Sequence, residues 1–183
     1  MDKNVARLYQ DSIPKRQKFR RALWQFTWCF LFFPTPDTGF RWWRIFLLRL
    51  FGAKIGKGCK VQSTVRIWAP WNLLMGNYAC LASQVDCYNV SQVSLGDYST
   101  VSQRSFICTA GHDISSLARP LTHSPVTINS HAWVCAEAYI GPGVVVEEGA
   151  VVAARAVATK LVPRWSVVAG APAKEISKRV ISG

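Results

Sequence analysis

The sequence predicts an all-β solenoid, a parallel β-helix, because aliphatic residues recur at every sixth position over most of the chain. A second column of small or β-branched residues follows four positions later in the C-terminal half. The two columns are Ile55, Val61, Ile67, Met75, Leu81, Leu95, Val101, Ile107, Ile128, Val134, Ile140, Val146 and Val152, and Ala132, Ala138, Val144, Ala150 and Ala156. A period of six matches neither an amphipathic helix nor an alternating strand, whose periods are about 3.6 and 2. So many in-phase positions also disfavour a sandwich or a barrel.

The hexad repeat has a direct physical meaning. The aliphatic residue of each hexad is expected to point into a narrow core, where stacked copies form a continuous buried column. One hexad cannot bury its own apolar face, but several stacked coils can. Glycine at the second hexad position is expected to permit a tight corner between faces. These glycines are Gly56, Gly76, Gly96 and Gly141.

Residues 1–52 are predicted to form a basic, aromatic and helical N-terminal segment. Residues 1–66 carry 14 Lys/Arg against 3 Asp/Glu, whereas residues 67–183 carry 8 against 7. The apolar run 22–33 is interrupted by Gln25 and is shorter than the ~20 residues of a membrane-spanning helix. Residues 40–51 suit an amphipathic helix, with Arg41, Arg44 and Arg49 on one side.

Two interpretations of this segment remain open. The helices could cover the open end of the solenoid, as repeat proteins require. They could also lie in an anionic membrane interface, which the basic and aromatic composition favours. A nucleic-acid-binding arm is a third interpretation, but no recognised nucleic-acid motif supports it, and we expect no nucleic-acid partner.

The rest of the chain divides into a hexapeptide-repeat domain over residues 53–175 and a short basic tail over residues 176–183. Residues 110–125 leave the hexad register and are predicted to form an excursion loop. The six cysteines lie far apart without a CxxC motif, so neither a zinc site nor a disulfide framework is indicated. Free thiols suggest a reducing compartment, and no small-residue cleavage site follows the apolar run. We therefore expect a cytoplasmic protein, with contact to the inner face of the cytoplasmic membrane if the second interpretation holds.

The excursion is where chemistry is expected, since loops that leave a rigid scaffold often carry function. His112 stands where the register breaks, and an imidazole near neutral pH can take and return a proton. From the residues alone, a structural role for His112 stays open. For His123 and His131 the structural role is favoured.

Several segments together resemble the hexapeptide-repeat acetyltransferases. The resemblance lies in residues 107–113 (ICTAGHD), 133–143 (WVCAEAYIGPG), 151–160 (VVAARAVATK) and 168–174 (VAGAPAK). The subgroup that makes colanic acid and other exopolysaccharides is the most similar, through residues 51–57 (FGAKIGK), 86–89 (DCYN) and 102–104 (SQR). The resemblance covers about residues 40–175.

This resemblance implies a left-handed parallel β-helix and a homotrimer with active sites in the clefts between subunits. It implies acetyl-CoA as the donor and His112 as the catalytic base, with no metal. By the same resemblance, the coenzyme A groove is lined by Trp133, Ala136, Ala154, Thr159 and Lys160, and Lys174 meets the nucleotide phosphates. Asp86 and Asn89 would bind the hydroxyls of the acceptor sugar. Read without the family, Trp133 and the alanines could simply pack corners, and Asp86 and Asn89 could form turns.

The expected function is therefore acetyl-CoA-dependent O-acetylation of a sugar or a lipid-linked glycan in polysaccharide biosynthesis. His112 would take the proton of the acceptor hydroxyl, and the oxygen would attack the thioester directly. A backbone amide would stabilise the oxyanion. The family often has Ser or Gly where this chain has Ala110 and Ala136, so a hydrogen bond to coenzyme A is expected from the backbone at these positions.

Three alternatives stay open at this stage. The first is a zinc-dependent carbonic anhydrase on the same solenoid, which needs three converging histidines. The spacings of the three histidines here do not resemble that family. The second is a non-catalytic assembly scaffold, and the third is an acetyltransferase that modifies antibiotics.

Overall fold

The computed structural model describes residues 13–181, and in these the chain begins with two helices and continues as a parallel β-solenoid of about six turns. Expectations that fall on residues 1–12 or 182–183 lie outside the described residues. Helix α1 spans Lys15–Thr27 and continues into a π-helical turn, Trp28–Phe32. Helix α2 spans Arg41–Leu50.

The strands of the solenoid are short, mostly two or three residues each. In chain order they are β1 (Lys54–Ile55), β2 (Lys60–Val61), β3 (Arg66–Ile67), β4 (Leu73–Met75), β5 (Cys80–Leu81), β6 (Asp86–Tyr88), β7 (Val93–Leu95), β8 (Thr100–Val101), β9 (Phe106–Cys108), β10 (Ala110–His112), β11 (Leu121–His123), β12 (Val126–Ile128), β13 (Trp133–Val134), β14 (Tyr139–Ile140), β15 (Val145–Val146), β16 (Val151–Val152), β17 (Val157–Ala158), β18 (Ser166–Ala169) and β19 (Lys174–Lys178).

Strands of successive coils stack in parallel and build three faces. Sheet 1 has the order β1-β4-β7-β12-β15, sheet 2 has β2-β5-β8-β13-β16-β18-β19, and sheet 3 has β3-β6-β9-β14-β17. Strands β10 and β11 form a separate antiparallel hairpin. We name the corners by the sheets that they join: the 1–2, 2–3 and 3–1 corners.

The hexad prediction is confirmed by the burial of the core. Every aliphatic residue of the first predicted column is less than 9% exposed, and so is every residue of the second column. Buried and outward residues alternate along the strands, as a pleated strand imposes: the three-residue strands of sheet 1 bury their first and third residues and turn the middle one outward. The core is therefore a continuous aliphatic column along the solenoid axis.

Three of the four predicted corner glycines, Gly56, Gly76 and Gly96, are required for a different reason from the one we expected. Among Gly56, Gly76, Gly96 and Gly141, none lies in the left-handed region. A Cβ at Gly56 would lie 2.8 Å from the carbonyl carbon and oxygen of Gly76 on the next coil. Close stacking of consecutive coils, rather than backbone freedom, excludes a side chain there.

The 1–2 corner carries a column of stacked rings at left-handed backbone positions. Tyr78, Tyr98 and His131 all have φ near +60°. The Tyr78 and Tyr98 rings are 5.0 Å apart, and the Tyr98 and His131 rings are 5.3 Å apart and nearly parallel. The stack supports the structural role that was favoured for His131.

The two helices cover the open end of the first coil, as one of the two interpretations predicted. Backbone N–H groups of this coil donate to the second coil, so its carbonyls point away from the solenoid. Such carbonyls need donors when they are buried. Helix side chains supply them: Trp24 Nε1 donates to Ile67 O (2.6 Å), Trp28 Nε1 to Val65 O (2.8 Å), Arg44 Nε to Val61 O (2.8 Å) and Arg49 Nη2 to Ile55 O (2.6 Å).

The buried face of α2 combines residues from both sides of the predicted amphipathic helix. Arg44 is only 2% exposed and packs toward the solenoid together with Leu47 and Leu48, whereas Phe46 and Leu50 face outward. Burial lowers the pKa of the Arg44 guanidinium, and the nearby Asp37 carboxylate partly opposes this effect. The need of the open coil for hydrogen-bond donors thus overrides the hydrophobic pattern of the helix.

The chain folds back at its C-terminal end. Strand β19 pairs antiparallel with β18 and forms the last strand of sheet 2. This strand crosses the boundary that we expected between residues 175 and 176, because its backbone completes the edge of the last coil.

Candidate active site

The predicted excursion is a two-stranded hairpin that leaves the solenoid at the 3–1 corner between β9 and β12. Strands β10 and β11 pair in the register Ala110↔His123 and His112↔Leu121. Thr109 fixes the base of the hairpin: its hydroxyl donates to Tyr88 O (3.0 Å), and its carbonyl accepts the Ser124 N–H (2.9 Å). A rigid coil therefore holds both ends of the excursion.

His112 lies at the outer end of β10, exposed to solvent. Its Nδ1 is 2.7 Å from the carbonyl oxygen of Arg119. A carbonyl oxygen can only accept, so Nδ1 carries the proton and donates it, which leaves the lone pair of the neutral ring on Nε2. The hairpin thus fixes both the orientation and the tautomer of the ring.

The Arg119 carbonyl is a partner of the His112 ring that sequence reasoning missed. Arg119 has a left-handed backbone, with φ of +45°, at the end of the turn that its N–H closes on Ser116 O. This conformation is unusual for a residue with a long side chain. Side-chain patterns do not predict which backbone carbonyl contacts a ring, so the sequence contained no signal for this contact.

Asp113 follows His112 in the sequence but stabilises the loop instead of the ring. Its carboxylate accepts the Ser115 N–H (2.9 Å) and hydroxyl (2.6 Å). These bonds lower the pKa of Asp113. The arrangement is a local turn of the kind that Asp commonly makes.

Asp86 lies on the outward face of sheet 3, beside a small cavity. It pairs in register with Arg66 and Phe106. Burial raises the pKa of the Asp86 carboxyl, and the positive charge of Arg66 partly offsets this shift. The cavity has a volume of about 310 Å³ and is lined by Trp28, Phe33, Thr64, Arg66, Gln84 and Asp86. The cavity combines aromatic faces with both hydrogen-bond donors and hydrogen-bond acceptors.

Asn89 is placed differently from the expectation. It is fully buried at the 3–1 corner, where its Oδ1 accepts the Ala69 N–H (2.9 Å) and its Nδ2 donates to Ala69 O (2.7 Å). The amide is therefore occupied by the backbone of the preceding coil. Asn89 holds two coils together and does not reach a surface on which an acceptor could bind.

Three of the residues predicted for coenzyme A lie around the 2–3 corner. Trp133 begins β13 and is 45% exposed, with Nε1 donating to Ser102 Oγ (2.9 Å). Ala136 and Ala154 occupy equivalent positions on consecutive coils, where the Ala136 carbonyl accepts the Arg155 N–H (3.0 Å). We call the surface along these small side chains the path.

The path is bordered by an ion-pair ladder that the sequence did not predict. The Glu137 carboxylate accepts Arg155 Nε at 2.6 Å and also binds the Arg104 guanidinium. Hydrogen bonds from Arg155 and then Arg104 lower the pKa of Glu137. The ladder fixes the corner on which the two alanines stand.

The remaining predicted residues lie near the C-terminal end of the solenoid. Thr159 and Lys160 are exposed and follow β17 at the 3–1 corner. Lys174 is exposed at the start of β19, opposite Ala169. The connection between β18 and β19 runs beside β17, since Val157 N–H donates to Gly170 O (2.9 Å). The chain therefore presents most of the predicted coenzyme A residues and His112 on two corners, with His112 on the same corner as Thr159 and Lys160.

No cluster of three or more His, Cys, Asp or Glu side chains suited to a metal ion occurs within residues 13–181. The three histidines have separate environments in this part of the chain. His112 bonds to Arg119, His123 lies in β11 opposite Ala110, and His131 stacks on Tyr98.

Comparison with known proteins places the chain among acetyltransferases. No family profile matches it. It is 37% identical over 173 residues to WcaF of Escherichia coli strain K12, whose name describes a colanic acid biosynthesis acetyltransferase, with 92% of this chain and 94% of WcaF covered.

Two solved structures share the fold. A hexapeptide-repeat acetyltransferase of Vibrio cholerae, complexed with acetyl-CoA, superposes with a TM-score of 0.85 at 18% identity and covers 98% of this chain and all of the other. A maltose O-acetyltransferase of Clostridium difficile 630 superposes with a TM-score of 0.82 at 24% identity, covering 92% and 90%. Together with the hexad solenoid and the close relative, these likenesses show that the chain belongs to the hexapeptide-repeat acetyltransferases.

Proposed function

We propose that this acetyltransferase moves the acetyl group of acetyl-CoA to a hydroxyl of a sugar or a lipid-linked glycan in polysaccharide biosynthesis. The observation that carries the proposal is the His112 ring, held with its Nδ1–H on the Arg119 carbonyl at the edge of a rigid solenoid. The name of the colanic acid relative supports the class of acceptor.

In the proposed reaction, His112 Nε2 takes the proton of the acceptor hydroxyl while the hydroxyl oxygen attacks the thioester carbonyl. The Arg119 carbonyl stabilises the resulting imidazolium through Nδ1–H. Collapse of the tetrahedral intermediate breaks the carbon–sulfur bond, and the imidazolium returns the proton to the departing thiolate. The products are the acetyl ester and coenzyme A.

The backbone N–H of Ala136 is the proposed donor to the oxyanion. It donates to no acceptor within residues 13–181, although its neighbours Cys135 and Glu137 bond to adjacent coils. A donor that is fixed by the corner and is not used by the described chain is suited to a charge that develops only during the reaction. This role agrees with Ala136 lacking a side-chain donor.

We propose that coenzyme A runs along the 2–3 corner, past Trp133, Ala136 and Ala154. Thr159, Lys160 and Lys174 would contact the nucleotide end, where lysines attract phosphates. Because His112, Thr159 and Lys160 lie on the 3–1 corner, we propose a homotrimer in which this corner of one protomer faces the 2–3 corner of the next.

Asp86 is the proposed acceptor contact. Its cavity offers the Trp28 and Phe33 rings for the apolar face of a sugar, and Arg66 and Gln84 for its hydroxyls. A half-buried carboxylate accepts hydrogen bonds from hydroxyls strongly. Asn89 is left out of this proposal because its amide is already bonded to Ala69.

The direct test is the rate of acetyl transfer by His112→Ala. Loss of a positioned general base should lower the rate by about 10²–10⁴-fold. Affinity for coenzyme A should barely change, because the proposed groove does not include the ring. The acceptor is identified by mass spectrometry of glycans incubated with the enzyme and acetyl-CoA.

His123→Ala and His131→Ala are the matched controls and should keep most of the activity, with the melting temperature reporting on folding. A folded His112→Ala variant with near-normal turnover would contradict the mechanism. If the enzyme acetylates antibiotics but no glycan, the acceptor is an antibiotic and not a sugar. If the wild-type protein does not bind coenzyme A, the protein is a non-catalytic scaffold.

A further inference from the structure

The helices that close the solenoid carry a large apolar surface on their outer side. We call this surface the cap face: Phe19, Leu23, Phe26, Phe30, Trp42, Phe46 and Leu50. Phe19 is 72% exposed, Trp42 is 68% exposed and Leu50 is 67% exposed. So many exposed large apolar side chains on two neighbouring helices are uncommon on a monomeric soluble protein and indicate an interaction site.

On the first helix the exposed residues form one stripe. Phe19, Leu23, Phe26 and Phe30 follow each other at intervals of four, three and four residues, which places them on one side of a helix. The Phe26 and Phe30 rings touch, with centroids 4.7 Å apart. The opposite side of the helix contains Trp24, which bonds to the first coil. The stripe therefore faces away from the solenoid.

Helix α2 repeats this arrangement. Trp42, Phe46 and Leu50 are spaced by four residues and exposed, while Arg44 on the other side bonds to the first coil. Trp43 Nε1 donates to Leu31 O (2.8 Å) and ties α2 to the end of the first helix. Both stripes thus lie at the N-terminal end of the solenoid and face outward from it.

Positive charge surrounds the cap face. Residues 13–85 contain 12 Lys/Arg and a single acidic residue, Asp37. That aspartate accepts the Ser63 N–H (2.8 Å) and lies 3.9 Å from Arg44, so it is engaged within the cap. Two cavities of about 400 Å³ each adjoin Trp42, and basic residues line both of them: Arg41, Arg44, Arg49, Lys57 and Lys60.

From this combination we infer that the cap face docks on an anionic lipid bilayer. An apolar stripe with basic flanks is the pattern of a helix that lies in the membrane interface. Each Lys or Arg near an anionic surface strengthens binding by about fivefold. None of the described helices is both long enough and apolar enough to span a bilayer. The protein would therefore rest on the membrane by its end and leave the outer faces of the solenoid in water.

The inference extends the proposed function, because a lipid-linked acceptor would meet the enzyme at the same surface. In a trimer with parallel solenoids, the three cap faces would lie at one end and bind the bilayer together. Such multivalency raises the overall affinity without any new contact.

The test is sedimentation of the full-length protein with vesicles. It should bind vesicles of equal parts phosphatidylcholine and phosphatidylglycerol, and bind phosphatidylcholine alone much more weakly. Binding should fall severalfold between about 0.1 M and 1 M salt, over which the Debye length drops from about 10 Å to about 3 Å. The double variant Phe26→Ser/Trp42→Ser should bind anionic vesicles at least about tenfold more weakly than wild type, because it removes two large apolar anchors.

The matched control is Ile176→Ser/Val180→Ser, which removes two exposed aliphatic residues far from the cap and should bind like wild type. Absence of binding to anionic vesicles, or equal binding by the Phe26→Ser/Trp42→Ser variant, overturns the inference. The inference is also overturned if light scattering shows concentration-dependent self-association that the Phe26→Ser/Trp42→Ser variant loses. Vesicle binding requires no acetyl transfer, so failure of one proposal leaves the other intact.

Discussion

At the scale of single residues, the candidate site depends on backbone groups as much as on side chains. His112 could be predicted from the sequence because it stands where the hexad register breaks. Its partner could not, since the Arg119 carbonyl reaches the ring only through a left-handed backbone within the hairpin. Asn89 shows the reverse case, where a suggestive side chain is consumed by the backbone of Ala69.

Asp86 gives a prediction that separates function from stability. Burial raises the pKa of the Asp86 carboxyl in the folded protein above its ordinary value. The folded state therefore favours the protonated carboxyl, and stability falls as the pH rises from the unfolded pKa, about 3.9, through the higher folded pKa. The Asp86→Asn variant should not show this fall in stability, so its melting temperature at pH 7 should be no lower than that of wild type. Its KM for the acceptor should rise.

The measurement is thermal unfolding from acid to neutral pH, combined with steady-state kinetics. Asp113→Asn is the matched control of opposite sign, because hydrogen bonds from Ser115 lower the Asp113 pKa. The stability that Asp113 contributes is present above its ordinary pKa and is lost as the pH falls through the lowered one. A clear loss of thermal stability in Asp86→Asn at pH 7 would mean that the carboxylate is a structural group.

At the scale of elements, the hexad pattern predicted the core because every coil buries the same kind of residue. The N-terminal helices were predicted only in outline. Their packing depends on which carbonyls the first coil leaves unpaired. The position at which the solenoid begins decides which carbonyls these are, and no local sequence pattern shows it. Arg44 and Trp24 therefore became hydrogen-bond donors to the coil, while apolar residues such as Phe46 stayed exposed.

Arg44→Met should destabilise the protein by several kcal/mol, because leaving a buried acceptor without its donor costs about 1–3 kcal/mol. Arg44 donates to Val61 O, Thr35 Oγ1, Pro36 O and Asp37 O. Methionine fills similar space but leaves these acceptors without their donor. The measurement is the free energy of unfolding in urea.

Arg41→Met is the matched control, because Arg41 lies on the same helix and is exposed. Its effect should stay within about 0.5 kcal/mol, as for most surface substitutions. Equal stabilities for the two variants would show that the contacts between the cap and the first coil contribute little to folding.

At the scale of the whole molecule, the proposed trimer has each active site between two protomers. His112 lies on the 3–1 corner, whereas Ala154 lies on the 2–3 corner of the same chain. In the proposed trimer, each site combines His112 of one protomer with the coenzyme A path of its neighbour. The small exposed Ala154 allows this path to be blocked by a larger side chain without disturbing the core.

Subunit mixing tests this claim most directly. Trimers of His112→Ala lack the base, and trimers of Ala154→Phe should exclude coenzyme A, so neither should transfer acetyl groups. Random mixing in equal amounts should restore about a quarter of wild-type activity, because one site in four then combines an intact His112 with an intact groove on the next protomer. Mixed trimers confirmed by native mass spectrometry, yet no more active than either parent, would contradict a site shared between protomers.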